Sequence, residues 1–121
     1  VEELPQNREE RIFNLFLMSA FRNSARERSV AFYASEQHLS PNYLSSVVKA
    51  KSGRTAIQWI ETFCILQAQH YLRQTKISVK EIAYRLHFPD QSVFGRYFKK
   101  HCGVSPTEYR DWKQRGEPSQ T

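Results

Sequence analysis

Residues 34–59 and 83–109 are two copies of one pattern, and that repeat restricts the fold more than any other feature of the chain. "ASEQHLSPNYLSSVVKAKSGRTAIQW" lies over "AYRLHFPDQSVFGRYFKKHCGVSPTEY". Ala34 matches Ala83, His38 matches His87 and Leu39 matches Phe88. After a difference of one residue in the turn, Leu44 matches Phe94, Val48 matches Phe98, Lys49 matches Lys99, Gly53 matches Gly103 and Trp59 matches Tyr109. Each copy reads as a short helix, a tight turn and a longer helix stopped by glycine. That is helix-turn-helix geometry, made twice.

The rest of the chain is also punctuated for helices. Strand signals are nearly absent, with no Asn-Gly or Asp-Gly hairpin turn. Apolar spacing predicts a helix from Arg8 to about Asn23, with Ile12, Leu15, Phe16, Ser19 and Ala20 on its stripe. Ser29 caps a short helix to about Gln37. Ser40-Pro41 opens one that runs to about Ser52 and stops at Gly53. Thr55 caps a long helix, Ala56 to about Gln74, with the stripe Ile57, Ile60, Cys64, Ala68, Tyr71 and Leu72. Ser78 caps Val79–Leu86 with Glu81 completing a capping box. Asp90 caps Gln91–Cys102, and Ser105-Pro106 opens a helix to about Lys113. The expectation is all-α: seven helices in two homeodomain-like helix-turn-helix subdomains, residues 1–55 and 76–114, joined by a linker helix over 56–75. A disordered tail is expected over 115–121.

The repeat also assigns faces. Leu44/Val48 and Phe94/Phe98 are four apart, so each pair pins its helix to the preceding one. Ala34 and Ala83 are small where those helices cross. Asn42, Ser45, Ser46 and Lys49 must then face outward in the first copy, and Gln91, Ser92, Gly95, Arg96 and Lys99 in the second. These faces are slim enough for a helix to lie deep in a groove about 12 Å wide. Charge agrees. Residues 1–48 carry five basic and six acidic side chains, residues 49–115 thirteen and five. A basic half of that size suits a polyanion, either nucleic acid or an anionic membrane surface. No stretch is long and apolar enough to span a bilayer. The first residue is Val1, which suggests a piece of a longer protein. Cys64 and Cys102 form no disulfide framework and fit a reduced, cytoplasmic setting. His101-Cys102 has no metal-ligand spacing, and no base is placed to activate either thiol, so neither metal, cofactor nor catalysis is expected.

The second unit, "ISVKEIAYRLHFPDQSVFGRYFKKHCGVSPTEYR", resembles the AraC/XylS family of bacterial transcription regulators. The family pattern is met by Ile82-Ala83, Phe88, Phe98-Lys99, Gly103, Pro106 and Tyr109-Arg110. The first unit, "FYASEQHLSPNYLSSVVKAKSGRTAIQWI", resembles it too, and the resemblance runs from about Arg28 to Trp112. It implies two helix-turn-helix subdomains on a rigid linker helix close to 30 Å long. Two recognition helices would then enter successive major grooves of double-stranded DNA. The family usually fuses such a domain to an N-terminal sensing or dimerisation domain, which would lie outside this chain, though some members stand alone. Two positions depart from the pattern. His87 stands where the family has a glycine of positive φ, and Cys64, read as core, stands where it often has arginine.

Within that frame Gln91 and Arg96 are the base-reading candidates, Gln91 toward adenine and Arg96 toward guanine, with a phosphate role the alternative for Arg96. Ser92 and Gly95 would line the groove, as would Asn42, Ser45 and Ser46 in the first unit, whose short side chains point to water or shape readout. Lys49, Arg54, Thr55, Lys99 and Lys100 are phosphate candidates, aided by the helix N-termini at Ser40, Thr55 and Asp90. On the first helix, Phe13, Leu17 and Met18 are either a docking surface for a missing sensor domain or RNA polymerase, or part of a thick core. Two other function classes compete: a helical module for an acidic protein partner, and a peripheral membrane domain. Both would favour bulky apolar anchors over the serines and glycine found here.

Overall fold

The computed structural model describes residues 8–115, which form seven α-helices and, among the described residues, no strand. These are α1 (Arg8–Asn23), α2 (Val30–Glu36), α3 (Pro41–Ser52), α4 (Ala56–Gln74), α5 (Val79–Arg85), α6 (Gln91–Cys102) and α7 (Pro106–Gln114). Of the tail expected to be disordered, Arg115 closes α7 as its C-cap, and residues 116–121 lie outside the described residues.

The helix starts follow the capping residues. The Ser29, Ser40 and Ser78 hydroxyls and the Asp90 carboxylate each accept the backbone N–H three residues on. Each such cap is worth about 1 kcal/mol. Thr55 and Gln58 cap each other reciprocally at 3.0 and 2.9 Å, as do Ser105 and Glu108 at 3.1 and 2.9 Å. The box expected at Ser78 forms by half. Ser78 accepts from the Glu81 N–H, but the Glu81 carboxylate takes the Arg85 Nε at 3.0 Å instead. A charged partner one turn away is the stronger acceptor's choice.

The chain divides into two compact units between Phe63 and Cys64, so α4, expected as a separate connector over 56–75, contributes residues to both. In the first unit α1 and α2 pack on α3 around Ile12, Phe16, Ala20, Tyr33, Leu44 and Val48. Phe16 meets Tyr33 edge-on at 5.6 Å, and the Tyr33 hydroxyl donates to the Glu27 carbonyl at 2.6 Å. Ile60 is buried as its spacing predicts, but Ile57 is 41% exposed, because Ala56 rather than Ile57 turns inward at the start of α4. The α1 stripe is likewise rotated. Of Phe13, Leu17 and Met18, read as either a docking surface or part of a thick core, Phe13 and Leu17 pack against the core, and Phe13 lies 6.3 Å from Trp59. Leu15, expected inside, is exposed together with Met18 and Phe21.

In the second unit Ile82, Ala83, Leu86, Phe94 and Phe98 are fully buried. Phe88, Phe94, Phe98 and Tyr109 form a run of rings with centroids 5.2, 5.9 and 5.5 Å apart. The end of α4 is closed from α7. Arg110 donates to the carbonyls of Leu72 (3.1 Å), Thr75 (3.3 Å) and Tyr71 (3.4 Å), and Arg73 donates to the Tyr109 hydroxyl at 2.9 Å. Gln114 shares the task, donating to the Leu72 and Thr75 carbonyls at 3.3 and 3.4 Å, so two side chains of α7 serve carbonyls at a helix end. This gives the Tyr109-Arg110 pair a structural reason.

The repeat holds at the level of the backbone. Leu39 N–H bonds the Ala34 carbonyl and Phe88 N–H bonds the Ala83 carbonyl, each at 2.9 Å. The residue before each is a histidine in the left-handed region, His38 at φ 59° and His87 at φ 63°. The conformation that the family's glycine would adopt is thus kept at His87, at a cost of about 1–2 kcal/mol for a residue with a Cβ. Gly53 and Gly103, at φ 77° and 84°, end α3 and α6 with N–H bonds to Lys49 and Lys99.

Candidate nucleic-acid interface

Two helices, α3 and α6, carry the outward faces. On α3 the buried residues Leu44, Val47 and Val48 fix the orientation, leaving Asn42, Ser46 and Lys49 exposed and Ser45 half-exposed. The Ser46 hydroxyl donates to the Tyr43 carbonyl at 2.8 Å, so toward a ligand it presents only lone pairs. The Lys49 ammonium reaches back to the Gly53 carbonyl at 3.2 Å and keeps two N–H bonds for a partner. Ser40 serves as the cap, with Pro41 in the first turn.

On α6, Phe94 and Phe98 are fully buried and turn Gln91, Ser92, Arg96, Lys99 and Lys100 into solvent. Gly95 sits among them. A Cβ built on it would meet nothing within 4 Å, and its φ is not in the left-handed region. Neither packing nor backbone within the chain therefore asks for glycine, although glycine inside a helix costs about 1 kcal/mol relative to alanine. The glycine leaves the outward side of α6 slim at this point. Asp90 caps α6 by accepting the Val93 N–H at 2.9 Å. A carboxylate cannot donate to phosphate, so Asp90 contributes to any anion contact only through the helix it starts.

The remaining candidates are placed differently. Arg54 is half-buried. Its guanidinium lies 4.7 Å from the centre of the Trp59 ring and donates to Thr62 Oγ1 at 2.8 Å and to the Gln58 carbonyl at 3.4 Å. One terminal nitrogen of its guanidinium is therefore held within the first unit by neutral partners. Thr55 is exposed and engaged in the reciprocal cap with Gln58. Gln91, Ser92, Gly95, Arg96, Lys99 and Lys100 are brought together on α6, and Asn42, Ser45, Ser46 and Lys49 on α3. Sequence reasoning did not single out Lys80 and Tyr84, which line a groove with Gln91 and Ser92. Their repeat counterparts are Ala31 and Ser35, and that mismatch was the available signal.

Among the described residues no group of three or more His, Cys, Asp or Glu side chains could hold a metal ion. No described helix is long and apolar enough to cross a membrane. Cys64 is buried, and burial pushes the Cys102 thiol above its usual range, opposed by a 3.5 Å hydrogen bond from Gln69.

Comparison with known proteins agrees with this geometry. Residues 33–111 match the model of a family described as "Helix-turn-helix domain". The chain is 35% identical over 77 residues to an uncharacterized HTH-type transcriptional regulator, YtdP, of Bacillus subtilis, covering 64% of this chain and 10% of that protein. It is 35% identical over 81 residues to the arabinose operon regulatory protein of Escherichia coli, covering 67% of this chain and 28% of that protein. The chain thus spans well under a third of the length of these relatives. Among solved structures, the C-terminal domain of AraT, a response regulator from Geobacillus stearothermophilus, superposes with a TM-score of 0.80 at 25% identity, covering 94% of this chain and 93% of that one. The DNA-binding domain of AdpA, a global transcriptional factor solved in complex with a target DNA, superposes at 0.76 with 23% identity, covering 94% and 99%.

Proposed function

The chain belongs to the AraC/XylS family of helix-turn-helix transcription regulators, and from that premise we propose that it binds double-stranded DNA sequence-specifically, with α3 and α6 each lying in a major groove. The observation that carries this reading is the outward face of α6. There a glycine that no internal contact requires sits among Gln91, Ser92, Arg96, Lys99 and Lys100. A groove-bound helix needs a small residue at its closest approach, long polar side chains beside it for base edges, and cations at its margin for phosphates. Gln91 and Arg96 are the base readers, and Lys99 and Lys100 hold phosphate. On α3, Asn42, Ser45 and Ser46 reach bases only at short range, so the first unit reads shape and water-bridged contacts more than base edges. Lys49 is its phosphate contact. Arg54, steadied by Trp59 and Thr62, keeps its charge and is a further phosphate contact.

The length of the relatives supports a further step: this is the DNA-binding part of a longer regulator. Contact with RNA polymerase in the bacterial cytoplasm is the role we propose for that longer protein. Selection of bound sites from random duplexes, followed by footprinting, tests the reading. The expected site has two half-sites about one helical turn apart. Gln91→Ala should relax the preference at one base position while binding to random DNA persists. Lys99→Ala should weaken binding to all duplexes and lower the salt slope by about 1. If both variants bind every duplex as the unaltered chain does, α6 is not the reading helix.

A further inference from the structure

Resting on that DNA-binding reading, we propose that Lys80 and Tyr84 of α5 form a phosphate seat by which the second unit, unlike the first, grips the DNA backbone with its leading helix. Lys80 and Tyr84 are four residues apart and share one face of α5. Both are exposed, and Tyr84 is 75% exposed. They line a groove of about 450 Å³ together with Ala83, Phe88, Gln91 and Ser92. A strand that presents its base edges to Gln91 would run its sugar-phosphate backbone past this groove, within reach of an ammonium and a phenol.

Neither group is committed inside the described part of the molecule, where the Lys80 ammonium and the Tyr84 hydroxyl have no hydrogen-bond or ion-pair partner. The neighbouring cation is committed. Arg85 is held at 3.0 Å by Glu81 and lies 5.9 Å from the Tyr71 ring centre. Asp90, also on the groove, places a carboxylate at the start of α6. It repels an anion from that end and leaves the α5 side, where Lys80 stands, as the favourable one. The fold does not require these two side chains. The repeat places exposed Ala31 and Ser35 at the same positions of α2, and the same helix-turn-helix forms around them. The second unit thus carries a cation and a long hydrogen-bond donor where the first carries a methyl and a short hydroxyl.

The test uses the whole chain, a duplex obtained by site selection and a random duplex. Affinities are measured over a salt series for Lys80→Gln and Tyr84→Phe, with unfolding curves to confirm that both exposed substitutions leave the fold intact. Lys80→Gln should weaken both duplexes by the same factor and lower the salt slope by about 1. Tyr84→Phe should weaken both equally with the slope unchanged, since a neutral donor releases no counterion. Duplexes with single methylphosphonates should include one position whose neutralisation weakens the unaltered chain but not Lys80→Gln. If Lys80→Gln keeps affinity and slope while the unaltered chain still prefers its selected duplex, the phosphate seat is overturned, this face is left to a protein partner, and the DNA-binding reading stands. If the unaltered chain shows no preference between the two duplexes, that reading falls and the seat with it.

Discussion

Replacing Gly95 by alanine should make the protein harder to unfold and poorer at holding DNA. Gly95 lies in the interior of α6, and its added Cβ would meet no atom within 4 Å. The substitution therefore gains helix propensity without a steric penalty, about 1 kcal/mol. For a domain of roughly 60–100 residues that raises the melting temperature by about 4–8 °C. On the DNA side the new methyl stands about 1.5 Å above the helix backbone. Base-edge hydrogen bonds tolerate only a few tenths of an ångström beyond about 3 Å, so Gln91 and Arg96 would reach their partners poorly. Leucine at the same position holds the helix further out and should remove at least one bidentate contact, about 1–3 kcal/mol, or roughly fivefold to 150-fold in affinity. Thermal unfolding followed by circular dichroism reads the first effect. Fluorescence anisotropy on selected and random duplexes reads the second. The reasoning is refuted if Gly95→Leu keeps both affinity and discrimination, or if Gly95→Ala lowers the melting temperature.

Two further outcomes follow from the second unit. Arg110→Ala removes a cation that satisfies three carbonyls at the end of α4, and should cost about 1.5–3 kcal/mol in urea unfolding, with Arg110→Lys recovering only part of it. The Glu108 carboxyl is held below its usual range, chiefly by the backbone N–H of Ser105. A depressed folded-state value means that the stabilisation is complete above the ordinary carboxylate range, about 4.3, and is lost as pH falls through the lower folded value. Unfolding curves below about pH 4.3 should therefore be flatter against pH in Glu108→Gln than in the unaltered chain.

The parts of the fold legible in the sequence were those fixed by local backbone chemistry. Ser40-Pro41, Ser105-Pro106, Gly53 and Gly103 each settle a helix end without reference to anything distant, and the observed ends lie on them. The repeat foretold that His38 and His87 would share a role, and they share a left-handed backbone. The illegible parts depend on what a face meets. Apolar residues occur on more than one side of α1, so its period does not say which side turns inward. Trp59 settles that by covering Phe13, while Phe21 meets only the edge of Phe63 and stays exposed. Glu81 had two partners within reach, the Ser78 N–H and Arg85, and spacing alone does not rank them. Arg54 looked like a free cation because the ring and hydroxyl that hold it, Trp59 and Thr62, come from the next helix. On the outward faces of α3 and α6 the sequence shows which side chains are exposed, while their contacts with DNA belong to a partner.

Both ends of α3 and of α6 are closed by their own residues, a side-chain acceptor at the start and a left-handed glycine at the finish. Ends closed in this way resist fraying. Encounter with a duplex should then carry little folding entropy, and calorimetry of binding should show a heat-capacity change no larger than docking of preformed surfaces gives.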